Sequence, residues 1–189
     1  MIAASAAVLL AGCTTTADEM DAPPLAEARG PLTAPGYMEM AASSDMFELE
    51  SSRLAMQMSR NPAIRSFAQM MINDHGRTTN EMMSIGQGLR LGPPPPQMVP
   101  HHAEMLERLR TASPADFDRA YKREQVMAHQ EALALHRDYA DRGDAEPFRA
   151  FAARTVPVIE MHYGQAQGLP EYTAMPQPMQ APVRSGERG

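Results

Sequence analysis

Apolar residues recur along this chain at helical spacing, and one stretch carries the pattern most clearly. Over residues 61–89, Ile64, Ala68, Met71, Ile72, Met82 and Leu89 share one helix face. On a wheel of about 100° per residue they fall within about 60° of His75, so a histidine stands at the centre of an apolar stripe. An unpaired buried polar group costs about 1–3 kcal/mol, so this ring needs a partner inside the protein. Asn61 is a capping residue and Pro62 suits a first helical turn, which sets the start of the element. Gly92 and the four prolines that follow it cannot continue a helix, and they stiffen the connection as polyproline II.

The same spacing predicts three further long helices. The first covers residues 37–59, with Phe47, Leu54 and Met58 on its stripe and Glu48 at the margin. The third opens at Ser113, a plausible N-cap, with Pro114 at the first position, and runs to about residue 141, where Gly143 ends it. Its stripe is Phe117, Tyr121, Ala128, Ala132, Leu135 and Tyr139, with Gln125 and His129 near one edge and His136 two turns beyond His129. The fourth covers residues 146–168, where Phe148, Phe151, Thr155, Val158, Ile159, Ala166 and Leu169 surround His162. Pro157 removes a backbone donor within it and should bend it. A short helix over residues 98–111 should lie across the bundle end, with the adjacent His101 and His102 on the surface.

A faint repeat relates the second and fourth helices. Arg65-Ser66-Phe67-Ala68 opens one and Arg149-Ala150-Phe151-Ala152 the other, and an inward histidine follows each phenylalanine. Two such helix pairs stacked face to face make an all-α, antiparallel four-helix bundle, with the short extra helix between helices 2 and 3.

Composition changes this picture in few places. A net charge of −6 gives no basic footprint for nucleic acid. Seventeen methionines and no tryptophan make a soft core, in which methionine is first of all a filler and, more sharply read, a thioether ligand for an ion such as Cu(I). No nucleophile triad, phosphate loop or dinucleotide fingerprint is present.

The two ends read as non-globular. Residues 1–12 read as a lipoprotein signal peptide: the short apolar run from Ile2 to Ala11 closes in Leu10-Ala11-Gly12 before Cys13, and this resembles the lipobox of bacterial lipoproteins. The run is too short to span a bilayer as a mature helix and carries no preceding Lys or Arg, unlike an ordinary signal peptide. Cys13 is the single cysteine, so it forms no internal disulfide, and it is the expected lipidation site. Thr14 in place of aspartate implies, by that resemblance, a periplasmic lipoprotein anchored to the outer membrane. Residues 13–36 read as a flexible tether, residues 37–169 as the bundle, and residues 170–189, rich in Pro, Gln and Met, as a disordered tail.

The chemistry-bearing candidates are one per long helix: Glu48, His75, His129 and His162. Bundle cores build metal sites in this way, and three imidazoles with one carboxylate suit Zn, Fe, Cu or Mn better than Mg or Ca. The Glu-x-x-His of di-iron sites is absent, since Ile72 and Ile159 stand where its carboxylates would be, so one ion is expected rather than two. The alternative is a metal-free polar network among His75, Glu48, Asp74, Gln125 and Thr79.

Several motifs together resemble one family. They are Phe67-Ala68-Gln69-Met70-Met71 with Asp74-His75, Phe117-Asp118-Arg119-Ala120-Tyr121, Gln125-Val126 with His129-Gln130-Glu131, and Val156-Pro157 with His162. Over about residues 37–169 the chain is similar to the bacterial domain of unknown function 4142 family, found in secreted and envelope proteins. The resemblance implies a ferritin-like four-helix bundle and implies no reaction. Three readings follow: a transition-metal-binding envelope lipoprotein, a metal-dependent oxidoreductase, or a metal-free envelope interaction module. The protein partner is open, and a homo-oligomer is possible.

Overall fold

The computed structural model describes residues 33–171. The apolar leader, Cys13, most of the expected tether and the tail beyond residue 171 lie outside the described residues. Within them the chain forms five helices: α1 (Ala34–Met58), α2 (Pro62–Gly88), α3 (Pro100–Arg110), α4 (Phe117–Arg142) and α5 (Glu146–Gln167). None is long and apolar enough to cross a membrane.

The boundaries have local causes. α1 begins at Ala34, three residues before the sequence pattern places it, because Thr33 accepts a hydrogen bond from the Gly36 amide and Pro35 sits in the first turn, where its missing N–H costs nothing. Asn61 caps α2 as expected, its side-chain oxygen 2.9 Å from the Ala63 amide. The expected cap at Ser113 is corrected: residues 113–116 form a turn ahead of the helix. There Ser113 Oγ accepts from the Asp116 amide at 3.2 Å and donates to the Asp116 carboxylate, so Pro114 lies outside α4. α5 continues through Pro157 to Gln167.

α1, α2, α4 and α5 pack as the four-helix bundle, each against two neighbours: α1 on α2 and α4, α5 on α4 and α2. Tyr37 meets His136 while Ser52 meets Tyr121, so α1 and α4 run antiparallel. Asp74 meets His162 while Glu81 meets Arg154, so α2 and α5 do also. It follows that α2 and α4 share a direction, and the chain between them must return along the whole bundle. α3 is that return. His101 bonds Glu131 and Arg108 bonds Glu124, which sets α3 antiparallel to α4 in the groove it forms with α1. The expectation of a helix across the bundle end is therefore corrected by topology, a single long crossover being the ferritin-like arrangement.

Two large apolar cores fill the bundle, with a small third cluster at Ala132, Leu133 and Ile159. One gathers Phe47, Ile64, Phe67, Met71, Phe117 and Tyr121 with Met105 and Leu109 of α3. The other gathers Tyr37, Met38, Met82, Tyr139, Phe148 and Phe151. Met71, Met82 and Met105 are fully buried in these cores. Between the two lies a polar layer at mid-height, to which all four long helices contribute.

Gly143 ends α4 for a reason other than backbone freedom. Its φ is −61° and its ψ 149°, which any residue adopts. The Tyr139 ring folds over it, with the hydroxyl donating to Asp144 Oδ1 at 2.8 Å, and a Cβ on residue 143 would overlap the ring. Gly143→Ala should therefore displace Tyr139, which stacks on Tyr37 at 4.0 Å, and lower stability by about 1–3 kcal/mol in chemical denaturation. A variant as stable as wild type would show that the ring yields freely.

Candidate metal centre

The polar layer is built from a pair of residues on each of three helices and a single residue on the fourth. α1 supplies Asp45 and, one turn on, Glu48; α2 supplies Asp74 and His75; α4 supplies Gln125 and His129, also one turn apart; α5 supplies His162. His75, His129 and His162 are 8%, 1% and 1% exposed, and their ring centroids stand 5.6–6.0 Å apart.

Each ring is held from outside by one nitrogen. His75 Nδ1 donates to Asp45 Oδ1 at 2.7 Å, His162 Nε2 to Asp74 Oδ2 at 2.9 Å, and His129 Nδ1 to the Gln125 carbonyl at 2.8 Å. A carboxylate or carbonyl oxygen only accepts, so these bonds fix the tautomers. On neutral rings the remaining nitrogens, His75 Nε2, His129 Nε2 and His162 Nδ1, then carry lone pairs. All three are buried and find no hydrogen-bond partner among the described residues, and the three rings each offer a nitrogen within 4.8 Å of those of the other two. Atoms so placed sit no more than about 2.8 Å from a common centre, against about 2.0–2.1 Å for a metal–imidazole bond, so sub-ångström shifts of each ring would close them on an ion.

Glu48 completes the layer without joining that trio. Its carboxylate is buried, both oxygens lack a hydrogen-bond partner, and Oε1 lies 3.5 Å from His129 Nδ1, whose proton is already given to Gln125. Burial pushes its pKa up to about 7, against the opposing charge of His75. Of eight buried side-chain atoms without partners among the described residues, five belong to Glu48 and the three histidines and a sixth to Gln125 Oε1. The other two are on Asp118, in the first turn of α4, where the helix dipole favours a carboxylate. Native interiors hold few such atoms, and here most share one layer.

Burial lowers the pKa of His129 to about 3 and lowers that of His162, so both rings stay neutral and available as ligands. Burial acts the same way on His75. The hydrogen bond to Asp45 and the charges of Asp45, Glu48 and Asp74 outweigh it and hold that pKa above the ordinary value.

Of the four residues singled out from the sequence, the structure brings the three histidines together and sets Glu48 beside them. Thr79 and Gln125 serve other atoms than a direct histidine network would use: Thr79 Oγ1 donates to Asp45 Oδ2 at 2.7 Å, and the Gln125 amide to Ser51 Oγ at 3.1 Å. Asp45 was not legible as a partner, although it stands one turn before Glu48. Asp74 bonds His162 on the neighbouring helix rather than the adjacent His75, because successive helical residues point about 100° apart. His136 lies beyond the trio, 3.0 Å from the Tyr37 hydroxyl.

The expected surface placement of His101 and His102 is corrected. His102 is 3% exposed: Ser43 accepts from the Val99 amide at 2.8 Å and donates to His102 Nδ1 at 2.7 Å. His101 Nε2 is 2.9 Å from Glu131 Oε1. The two rings do diverge, but α3 lies in a groove, so both directions meet protein.

The model of a family described as "Domain of unknown function (DUF4142)" matches residues 19–169. No curated protein matches the chain. Among solved structures, the fold is similar to "CopM in the Cu(II)-bound form" (TM-score 0.60, 20% identity, 72% of this chain and 95% of that one). It is similar also to "CopM in the Cu(I)-bound form" (TM-score 0.60, 20% identity, 72% and 94%). A third is the "DUF305 fragment from Deinococcus radiodurans" (TM-score 0.63, 17% identity, 74% and 95%). At these identities the likeness is one of fold.

Acid should weaken the metal-free fold through its buried neutral histidines. Burial holds His102 and His136 at about 4, below the ordinary 6.5. Between those values the unfolded chain takes up protons that the folded chain refuses, so stability falls as pH drops from about 6.5 to about 4. For His102 alone the full effect is on the order of 3 kcal/mol. His102→Gln should flatten the decline of melting temperature over that window, and parallel curves for variant and wild type would contradict it.

Proposed function

Since the chain belongs to the domain of unknown function 4142 family, whose description names no activity, we propose from its own site that it binds one transition-metal ion between His75, His129 and His162. One observation carries this reading: three buried imidazole lone pairs converge, each on a ring whose other nitrogen is fixed by an oxygen. Metal-ligating histidines are oriented in this manner by outer carboxylates and carbonyls. Neutral imidazoles suit Zn, Cu or Fe. The buried Glu48 carboxyl offers negative charge beside the cation, as a fourth ligand or as a counter-charge. The copper- and silver-bound forms of CopM, a protein of similar fold, are consistent with a metal role for such a bundle.

The setting we propose is the periplasm, with the bundle tethered to the outer membrane through lipid on Cys13 and acting in metal handling or envelope stress. The support is Leu10-Ala11-Gly12 directly before that cysteine. Cys13→Ala should move the protein from the membrane to the soluble fraction of cells; a wild type that already fractionates as soluble would remove the anchor.

Metal content and chelator titration test the site itself. Purified protein should take up one ion per chain from Cu(I) or Zn(II), and an ion held at a hundred times its Kd should add about 2.7 kcal/mol of stability. His75→Ala, His129→Ala and His162→Ala should each abolish stoichiometric uptake, and the double variant His75→Ala/His162→Ala should lose no more. Asp45→Asn and Asp74→Asn should weaken binding about 10–100-fold. His101→Ala and His102→Ala should retain the ion. A metal-free interaction module would instead bind no ion and melt identically with and without chelator. Stoichiometric metal in the double variant would place the ion elsewhere.

A further inference from the structure

Beside the three histidines lies a cavity of about 30 Å³, room for a single water molecule or ion. All four long helices line it. Its ionisable wall is Asp45, Asp74 and His136 together with His75 and His162. His129 and Glu48 take no part, so the cavity backs onto two of the three histidines from the side of their outer partners. The side chains of Asp45 and Asp74 are 13% and 16% exposed, so both carboxylates touch solvent while bonded to a histidine. Val158, 37% exposed, marks the outer rim, and the small Ala41 and Ala132 leave the space open. No lysine or arginine lines it. Arg77 pairs with Asp74 from outside, but its side chain is 79% exposed, and such surface pairs are weak.

Resting on the metal-binding reading above, we propose that this cavity is the route by which the ion reaches and leaves the three histidines, with Asp45, Asp74 and His136 as the groups that hold it on the way. Two carboxylates on the wall attract a hydrated cation and replace part of its water shell, and the buried His136 ring offers a nitrogen donor on the same cavity. His75 and His162 form the inner wall, so rotation of either ring passes the ion from the cavity to the lone pairs on the other side. The carboxylates that orient the ligands are then also cavity-lining groups, their second oxygens held by Thr79 on Asp45 and by Arg77 on Asp74.

Loading kinetics test the route. Metal-free full-length protein is mixed with Cu(I) buffered by a coloured chelator, and with Co(II), which reports through its own visible absorption. Ala132→Leu and Ala41→Leu crowd the cavity while leaving every ligand and every carboxylate partner in the chain, and His136→Gln keeps a group that can meet Tyr37. The two filling variants should load at least tenfold more slowly, and His136→Gln severalfold more slowly. All should end at the wild-type stoichiometry and equilibrium affinity. Release into excess chelator should slow by the same factor as loading, as one shared path requires. Should Ala132→Leu or Ala41→Leu fail to fold, Val158→Phe at the exposed rim takes its place. Folded variants that load at the wild-type rate, while His75→Ala loses the ion, would overturn the route and leave the site standing. A wild type that takes up no ion would overturn both.

Discussion

Everything in this bundle depends on how four helices bury seven polar side chains in one layer between two apolar cores. A ring nitrogen or carboxylate without a partner in such a place is costly, and the structure answers by pairing only the outward nitrogen of each imidazole. Asp45, Asp74 and the Gln125 carbonyl each take one imidazole proton. What remains faces inward, unpaired and convergent. The arrangement is a poor way to stabilise an empty core and a good way to keep three lone pairs ready, since rigid outer bonds fix the rings before any ligand arrives.

The helices and their inward faces could be read directly, because a period of 3.6 over twenty or more residues survives any tertiary detail. His75 and His162 were visible as the centres of their stripes, and His129 as a residue near an edge. The misreadings are of another kind. The path of α3 depends on α2 and α4 running in one direction, a relation between elements that no local pattern contains. His102 was misplaced for the same reason. Asp45 was passed over because a carboxylate on a helix is usually solvated, and only the neighbouring helix turns it inward. Gly143 ends its helix as expected, but only the packed structure shows the Tyr139 ring that excludes a side chain there.

The methionine-rich composition finds a plain use. Met71, Met82 and Met105 fill the apolar cores, where a flexible thioether adapts to gaps between helices of mixed side chains. The ionisable groups of the polar layer sit instead on positions whose neighbours set their charge: burial keeps His129 and His162 neutral, while the carboxylates around His75 draw it toward the proton.

The crossover also makes the bundle unequal on its two sides. α3 lies over the seam between α1 and α4, fastened by Ser43 to His102, by Glu131 to His101, and by the fully buried Glu124 to Arg108. The opposite seam, between α2 and α5, has no such cover among the described residues and is bridged by Asp74 with His162 and by the exposed pair Glu81 and Arg154. The molecule is thus bound like a book, with its spine at α1, α3 and α4 and its fore-edge at α2 and α5. His129 belongs to the spine and His75 and His162 to the two leaves, so a fluctuation that parts the fore-edge spreads the three rings while leaving most of the fold shut.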